Sequence, residues 1–245
     1  MTTKCIAILG AGPGLGLALA RRYGKDGYAV ALVGRRVEVL QAQSRQLGAE
    51  GVTAQGFQAD LREPAQVSAV VADILSRFGR IDVLYYGPNA PEAFVPASLL
   101  SVDDVKDKVE LFLYGLVAAV GAVLPTMRAL PQGAILVGLG GSAAVGLPFM
   151  SGPGPALAGA RNYLYSLHGE LASQGIYVGM LTLSAVIQHS GWHEGIQSGR
   201  IAMQLPPGFQ IPEVSPDVLA AMLQHAMLER SGPELTYPPA PAAAA

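Results

Sequence analysis

The residues best placed to do chemistry come first in the chain: Gly10-Ala11-Gly12-Pro13-Gly14-Leu15-Gly16, between the apolar run Ile6 to Leu9 and an Ala/Leu-rich stretch. That order reads as strand, tight turn and helix N-terminus. Glycines at 10, 14 and 16 leave no side chains where a backbone must pass close to a ligand, and Gly12, Pro13 and Leu15 complete the loop. A helix that starts there aims free N–H groups and its positive dipole end at whatever sits above it. A pyrophosphate is the group such a turn most often holds. Taken alone, the turn also fits a plain Gly-rich strand-to-helix connection.

Elsewhere the chemistry-bearing residues are few. Cys5 is the single cysteine of 245 residues, so there is no disulfide framework and no thiolate cluster. No pair of histidines and carboxylates has a metal-ligand spacing, and no metal is expected. A formal net charge of −2 gives no electrostatic case for nucleic acid or an anionic membrane. The chain is 51% apolar and 14% charged, which suits a sheet covered on both faces. No apolar run reaches the roughly 18 residues of a membrane span. The N-terminus shows no signal pattern, so a cytoplasmic location is expected.

The elements that must position the turn alternate. Strands are expected at Ile6–Leu9, Tyr28–Val33, Val52–Phe57, Ile81–Tyr85, Gly133–Leu139 and Tyr177–Leu183. Helices are expected over about Leu15–Tyr23, Val37–Leu47, Pro64–Phe78, Val102–Arg128 and Ala156–Ser173. Such alternation with short connections predicts an α/β fold, a Rossmann-type doubly wound parallel sheet of about seven strands in a single domain over 1–237. Residues 189–212 break the pattern and contain the only tryptophan, Trp192. A segment of that length reads as a substrate lid. Ser215-Pro216-Asp217 caps a last helix ending near Arg230, and Glu234–Tyr237 could add an edge strand. The Pro/Ala tail 238–245 is expected to be flexible.

After the second strand stand Arg35 and Arg36. Dinucleotide folds that select NAD place an acidic residue there for the ribose 2′-hydroxyl, whereas arginine suits a 2′-phosphate. With Gly10-x-x-x-Gly14-x-Gly16 and Asp60-Leu61 after the third strand, the chain resembles the short-chain dehydrogenase/reductase superfamily over roughly residues 4–237. The resemblance implies NADP(H) as cofactor, with Asp60 and Leu61 beside the adenine and Gly87 in close backbone approach. It also implies a small-molecule substrate and a homo-dimer or homo-tetramer. Pairing is expected on the helices carrying Leu113, Leu116 and Val117 and Tyr163, Leu164 and Leu167.

The second half departs from the family pattern. The Asn-Asn-Ala-Gly after the fourth strand is Tyr86-Gly87-Pro88-Asn89 here. The helix asparagine falls on Phe112, the serine on Gly140, and the Tyr-x-x-x-Lys pair on Pro153 and Leu157. The lysines are Lys4, Lys25, Lys106 and Lys108, and no tyrosine has a lysine four residues on. Pro153 and Leu157 can neither donate a proton nor stabilise a phenolate. The candidates to take over are Ser142, two residues past Gly140; Tyr86, at the end of the fourth strand; and His189, in the lid near His193 and Trp192. Arg161 and His168 lie on the following helix and read as surface and packing residues. Three functions stay open: an NADP(H)-dependent oxidoreductase with a rearranged proton path, a non-redox cyclase or isomerase, and a non-catalytic nucleotide-binding regulator.

Overall fold

The computed structural model describes residues 3–89, 94–129, 132–201 and 210–239. Strands and helices alternate as β1 (Cys5–Leu9), α1 (Leu15–Lys25), β2 (Ala29–Gly34), α2 (Val37–Ala49), β3 (Ala54–Gln58), α3 (Pro64–Phe78) and β4 (Val83–Tyr86). There follow α4 (Val102–Val109), α5 (Gly115–Met127), β5 (Gly133–Gly140), α6 (Gly154–Ala172) and β6 (Ile176–Leu183). The chain then runs through β7 (Val186–Ile187), α7 (Gly191–Gln197), β8 (Glu213–Val214), α8 (Pro216–Glu229) and β9 (Glu234–Tyr237). Seven strands form one parallel sheet in the order β3-β2-β1-β4-β5-β6-β9. This is the doubly wound Rossmann-type fold, and β9 takes the edge.

Side-chain alternation divides the interior into two layers. Ala7, Leu9, Leu84, Tyr86, Ile135 and Val137 face α3, α5 and α6. Ile6, Ile8, Val83, Tyr85, Leu136 and Leu181 face α1, α2 and α8. Both faces are apolar because both are covered. The order of strands reverses between β1 and β4, and their carboxyl ends open a crevice there.

Three expectations change. The helix expected over 102–128 is interrupted by a single π turn, Glu110–Tyr114. The buried Tyr86 hydroxyl donates to the Leu111 carbonyl in that turn. A Cβ on Gly115, which closes the turn, would collide with the Tyr86 hydroxyl and the Leu61 carbonyl. The helix over 102–127 is long and apolar enough to cross a bilayer by length and composition, but Leu111, Leu116, Val120 and Met127 are spent on the protein's own core. Among the residues expected to pair copies, Leu116, Leu164 and Leu167 are likewise in the core, while Val117 stays exposed. The third change is the lid, which holds the short helix α7, with a β7–β8 ladder across its base. Its residues 202–209 lie outside the described residues, as do 240–245 of the tail.

The edge strand is held by an acid. Glu234 on β9 accepts from Arg161 of α6 at 2.6 and 2.9 Å, and from Tyr165 and Thr182. The Arg161 guanidinium, with the Thr182 and Tyr165 hydroxyls, holds its carboxyl at about 2, below the ordinary 4.5. Above pH 4.5 both folded and unfolded chains are ionised and the stabilisation is complete; it declines as pH falls toward 2. Glu234→Gln should destabilise by about 2 kcal/mol at pH 7. Denaturant titrations of both chains should show that gap closing below pH 4.5. A gap independent of pH contradicts the ion pair.

Candidate functional site

The crevice at the ends of β1 and β4 is built from glycines with different duties. Gly10 has φ +99°, and a Cβ there would lie 2.6 Å from the Gly87 carbonyl oxygen and 2.7 Å from Pro88 N. Only a residue without a side chain lets β1 end against β4. Gly16 packs α1 onto its own strand, with a virtual Cβ 3.2 Å from Ala11 Cα. A Cβ on Gly14 would lie 3.3 Å from Ile187 of β7 and 3.2 Å from Ser190 beyond it. Gly12 is different: a Cβ there meets only the Gly10 carbonyl, at 4.0 Å. The loop thus keeps open space above Gly12 and Pro13. The first-turn amides of α1, from Leu15 and Gly16, point out of the helix without partners inside it. No acidic side chain occupies that turn. The arrangement suits an anion.

The amides of Gly10 and Ala11 donate to the Val33 carbonyl at 3.0 and 2.9 Å, tying the turn to the end of β2. Arg35 and Arg36 follow directly, and both are exposed. The carboxylate of Asp60 stands 4.0 Å from Arg35 and 3.8 Å from Arg62, and accepts from the Arg62 amide at 3.0 Å. Leu61 is buried at 4% exposure, so its main chain is what this loop can offer a ligand. The adenosine-side candidates are therefore gathered at the ends of β1, β2 and β3. A groove of about 480 Å³ between α2 and β3, lined by Leu40, Ser44 and Gln55 among others, contains none of them.

The other half of the crevice lies beyond β5. A Cβ on Gly140 would sit 3.4 Å from Leu157 Cδ1 and 3.8 Å from Ser142 Oγ, and one on Gly154 also 3.8 Å from Ser142 Oγ. The serine is therefore lodged among Gly140, Leu157 and the residue after Pro153, and its hydroxyl has no partner among the described residues. Phe112, in the π turn, is buried in the same layer as Leu157. The remaining candidates do not join this cluster. Tyr86 is 1% exposed, and its hydroxyl is taken by Leu111. His189 is exposed at φ 62° on the lid, its amide donating to His193 Nδ1 at 3.3 Å. Trp192 packs edge-on against Phe94, centroids 5.6 Å apart, bringing α7 onto the segment after β4. His168 bonds the Val178 carbonyl at 2.7 Å and serves packing.

Residues 4–189 match the family model for short chain dehydrogenases. The chain belongs to the short-chain dehydrogenase family. A sulfoacetaldehyde reductase of Chromohalobacter salexigens is 32% identical over 183 residues, covering 72% of this chain and 70% of that protein. An NADP-dependent 3-hydroxy acid dehydrogenase of Salmonella typhi is 31% identical, covering 71% and 68%. Among solved structures, L-sorbose reductase from Gluconobacter frateurii with NADPH and L-sorbose superposes at TM-score 0.80, 23% identity, covering 96% and 95%. Actinorhodin polyketide ketoreductase with NADPH gives 0.81 at 22%, covering the same shares. The last two likenesses concern the fold alone. This dehydrogenase-family chain thus shares the fold of the two solved structures.

The glycine geometry separates folding from binding. Gly10→Ala should lower stability by about 1–3 kcal/mol, because it meets both an unfavourable φ and main-chain atoms. Gly12→Ala should melt like the parent chain. Thermal denaturation of the two variants checks this, and a Gly12→Ala variant as unstable as Gly10→Ala contradicts it.

Proposed function

We propose that the chain is an NADP(H)-dependent oxidoreductase acting on a small organic substrate, with a proton path that does not use a Tyr/Lys pair. The residues present fit the cofactor. The open space over Gly12 and the amides of Gly14, Leu15 and Gly16 suit the pyrophosphate, and Arg35 and Arg36 suit a 2′-phosphate. Asp60, the Leu61 main chain and Gly87 complete the wall. When bound, NADPH supplies a hydride to an electron-poor carbon of the substrate.

The observation that carries the reading is the lodging of Ser142. Its free hydroxyl stands 3.8 Å from the Cβ positions of both Gly140 and Gly154, beside Leu157. An aliphatic hydroxyl can donate a hydrogen bond to a substrate oxygen or nitrogen, and it is a poor proton donor. Leu157 and Phe112 offer no proton, so the proton that completes the reduction comes from water. Such a site favours substrates that need little acid help, an activated C=C or C=N bond over a simple ketone. Tyr86 and His189 serve as controls: the first has spent its hydroxyl, and the second stands on the exposed lid.

Cofactor choice is tested by calorimetric titration with NADPH and NADH. Arg35→Ala or Arg36→Ala should weaken NADPH by about 1.5–3 kcal/mol and leave NADH nearly unchanged. Equal affinities in the parent chain contradict the preference. The substrate class is tested by following NADPH oxidation with a panel of ketones, aldehydes, enones and imines. Simple carbonyls should turn over more slowly than about 1 s⁻¹. Ser142→Ala should slow the best substrate by roughly 10²-fold, with Tyr86→Phe and His189→Ala near the parent rate. Faster carbonyl turnover, or a silent Ser142→Ala, contradicts the assignment.

We also read the chain as a homo-oligomer pairing through α5 and α6. Tyr114 of the π turn, Val117 of α5 and Tyr165 of α6 stand at 54%, 43% and 40% exposure. Light scattering should give a multiple of 25.4 kDa at micromolar concentration, and a mass fixed at 25.4 kDa contradicts it.

A further inference from the structure

Tyr85 lies one residue before the family's Asn-Asn-Ala-Gly stretch, where sequence gave no reason to look. It belongs to the layer facing α1 and α8, among Ile8, Leu136 and Leu181. Its side chain leans along β4 toward the carboxyl edge of the sheet. There it crosses two positions that have no side chain: Gly87, two residues on in the same strand line, and Gly138 of the neighbouring β5. A Cβ on Gly138 would lie 2.8 Å from the Tyr85 hydroxyl, and one on Gly87 would collide with it. Gly87 is also the residue whose main chain meets Gly10. The hydroxyl therefore stands at the level of the glycine turn, between it and the end of β5.

Its bonding state is unusual among its peers. Of the four buried tyrosines among the described residues, Tyr23 donates to Met227, Tyr86 to Leu111 and Tyr177 to Gly232. Tyr85, at 3% exposure, has no hydrogen-bond partner among the described residues. The ring is buried, and the unpartnered oxygen is aimed at the place where Gly87 and Gly138 carry no side chains. Phenylalanine would fill the same volume without leaving a polar atom unpaired. Burial raises the phenol's pKa, so the group stays protonated and able to donate.

We propose that the Tyr85 hydroxyl is a hydrogen-bond anchor for the half of the dinucleotide beyond the pyrophosphate, the nicotinamide riboside half. It supplies a polar side-chain contact at an edge where the Tyr86 hydroxyl is taken by Leu111 and Gly87 has no side chain. This inference rests on the NADP(H) reading above. The chemistry it asks for is a ribose hydroxyl or carboxamide oxygen. It does not concern the adenosine end, where Arg35 and Arg36 act.

The test compares the parent chain with Tyr85→Phe by titration with NADPH and with adenosine 2′,5′-bisphosphate, which lacks the nicotinamide half. Melting curves are taken of both proteins. Tyr85→Phe should melt at or above the parent temperature, bind NADPH about tenfold more weakly, and bind the bisphosphate as the parent does. Unchanged NADPH affinity in a well-folded Tyr85→Phe chain overturns the anchor and leaves the cofactor reading standing. Equal weakening of both ligands also overturns it, because a distorted crevice would then explain the loss. If the parent binds neither ligand, the cofactor reading fails first and takes the anchor with it.

Discussion

The site depends on one close approach, the end of β1 against the end of β4. Gly10 at φ +99° leaves 2.6 Å between its Cβ position and the Gly87 carbonyl oxygen, a gap no side chain can enter. That contact fixes how deep the crevice is and where the first turn of α1 begins. The same turn is tied sideways to Val33 through the amides of Gly10 and Ala11, which brings the Arg35–Arg36 pair within reach of whatever lies over Gly12. Two main-chain contacts thus position the first turn of α1 and the Arg35–Arg36 pair. The helix behind them stays in place because Gly16 lets it lie directly on its strand.

Beyond β5 the logic differs. The crevice there is framed by Gly140, Leu157 and Phe112, with the Ser184 hydroxyl against the adjoining Gly141. The Ser142 hydroxyl is lodged among these residues without a partner in the described chain. Under the proposed function, this cluster orients a substrate by shape and one hydrogen bond. The lid contributes an aromatic contact, Trp192 on Phe94, and its histidines are occupied with the lid itself: His193 accepts from the His189 amide and contacts Gln197 at 3.1 Å.

Much of this was legible in the residues. The glycine spacing placed the turn, Pro64 opened α3 where it starts, Ser215 capped α8, and Glu234–Tyr237 did form an edge strand. What was hidden has a physical cause. In a sheet covered on both faces the strands are apolar throughout, so periodicity does not say which side each residue faces. Tyr85 and Tyr86 are neighbours of the same type, and only the strand's phase sends one hydroxyl toward Gly87 and Gly138 and the other to Leu111. The π turn at Glu110–Tyr114 is hidden for a similar reason, since its residues continue the helical pattern and the departure answers a tertiary contact. Leu116, Leu164 and Leu167 had looked like surplus apolar surface because the core between α3, α5 and α6 is larger than one stripe per helix suggests. Arg161, expected on the surface, is drawn onto Glu234 from β9, a partner 73 residues away.

The most direct measurement of the central claim is a crystal structure of the chain with NADPH. The account predicts density for the dinucleotide along the carboxyl edge of the sheet. Its pyrophosphate should lie over Gly12 and the first-turn amides of α1, its 2′-phosphate against Arg35 and Arg36, and its nicotinamide toward Ser142 and Leu157. A nucleotide lodged elsewhere, or a crevice that stays empty at saturating NADPH, would contradict it.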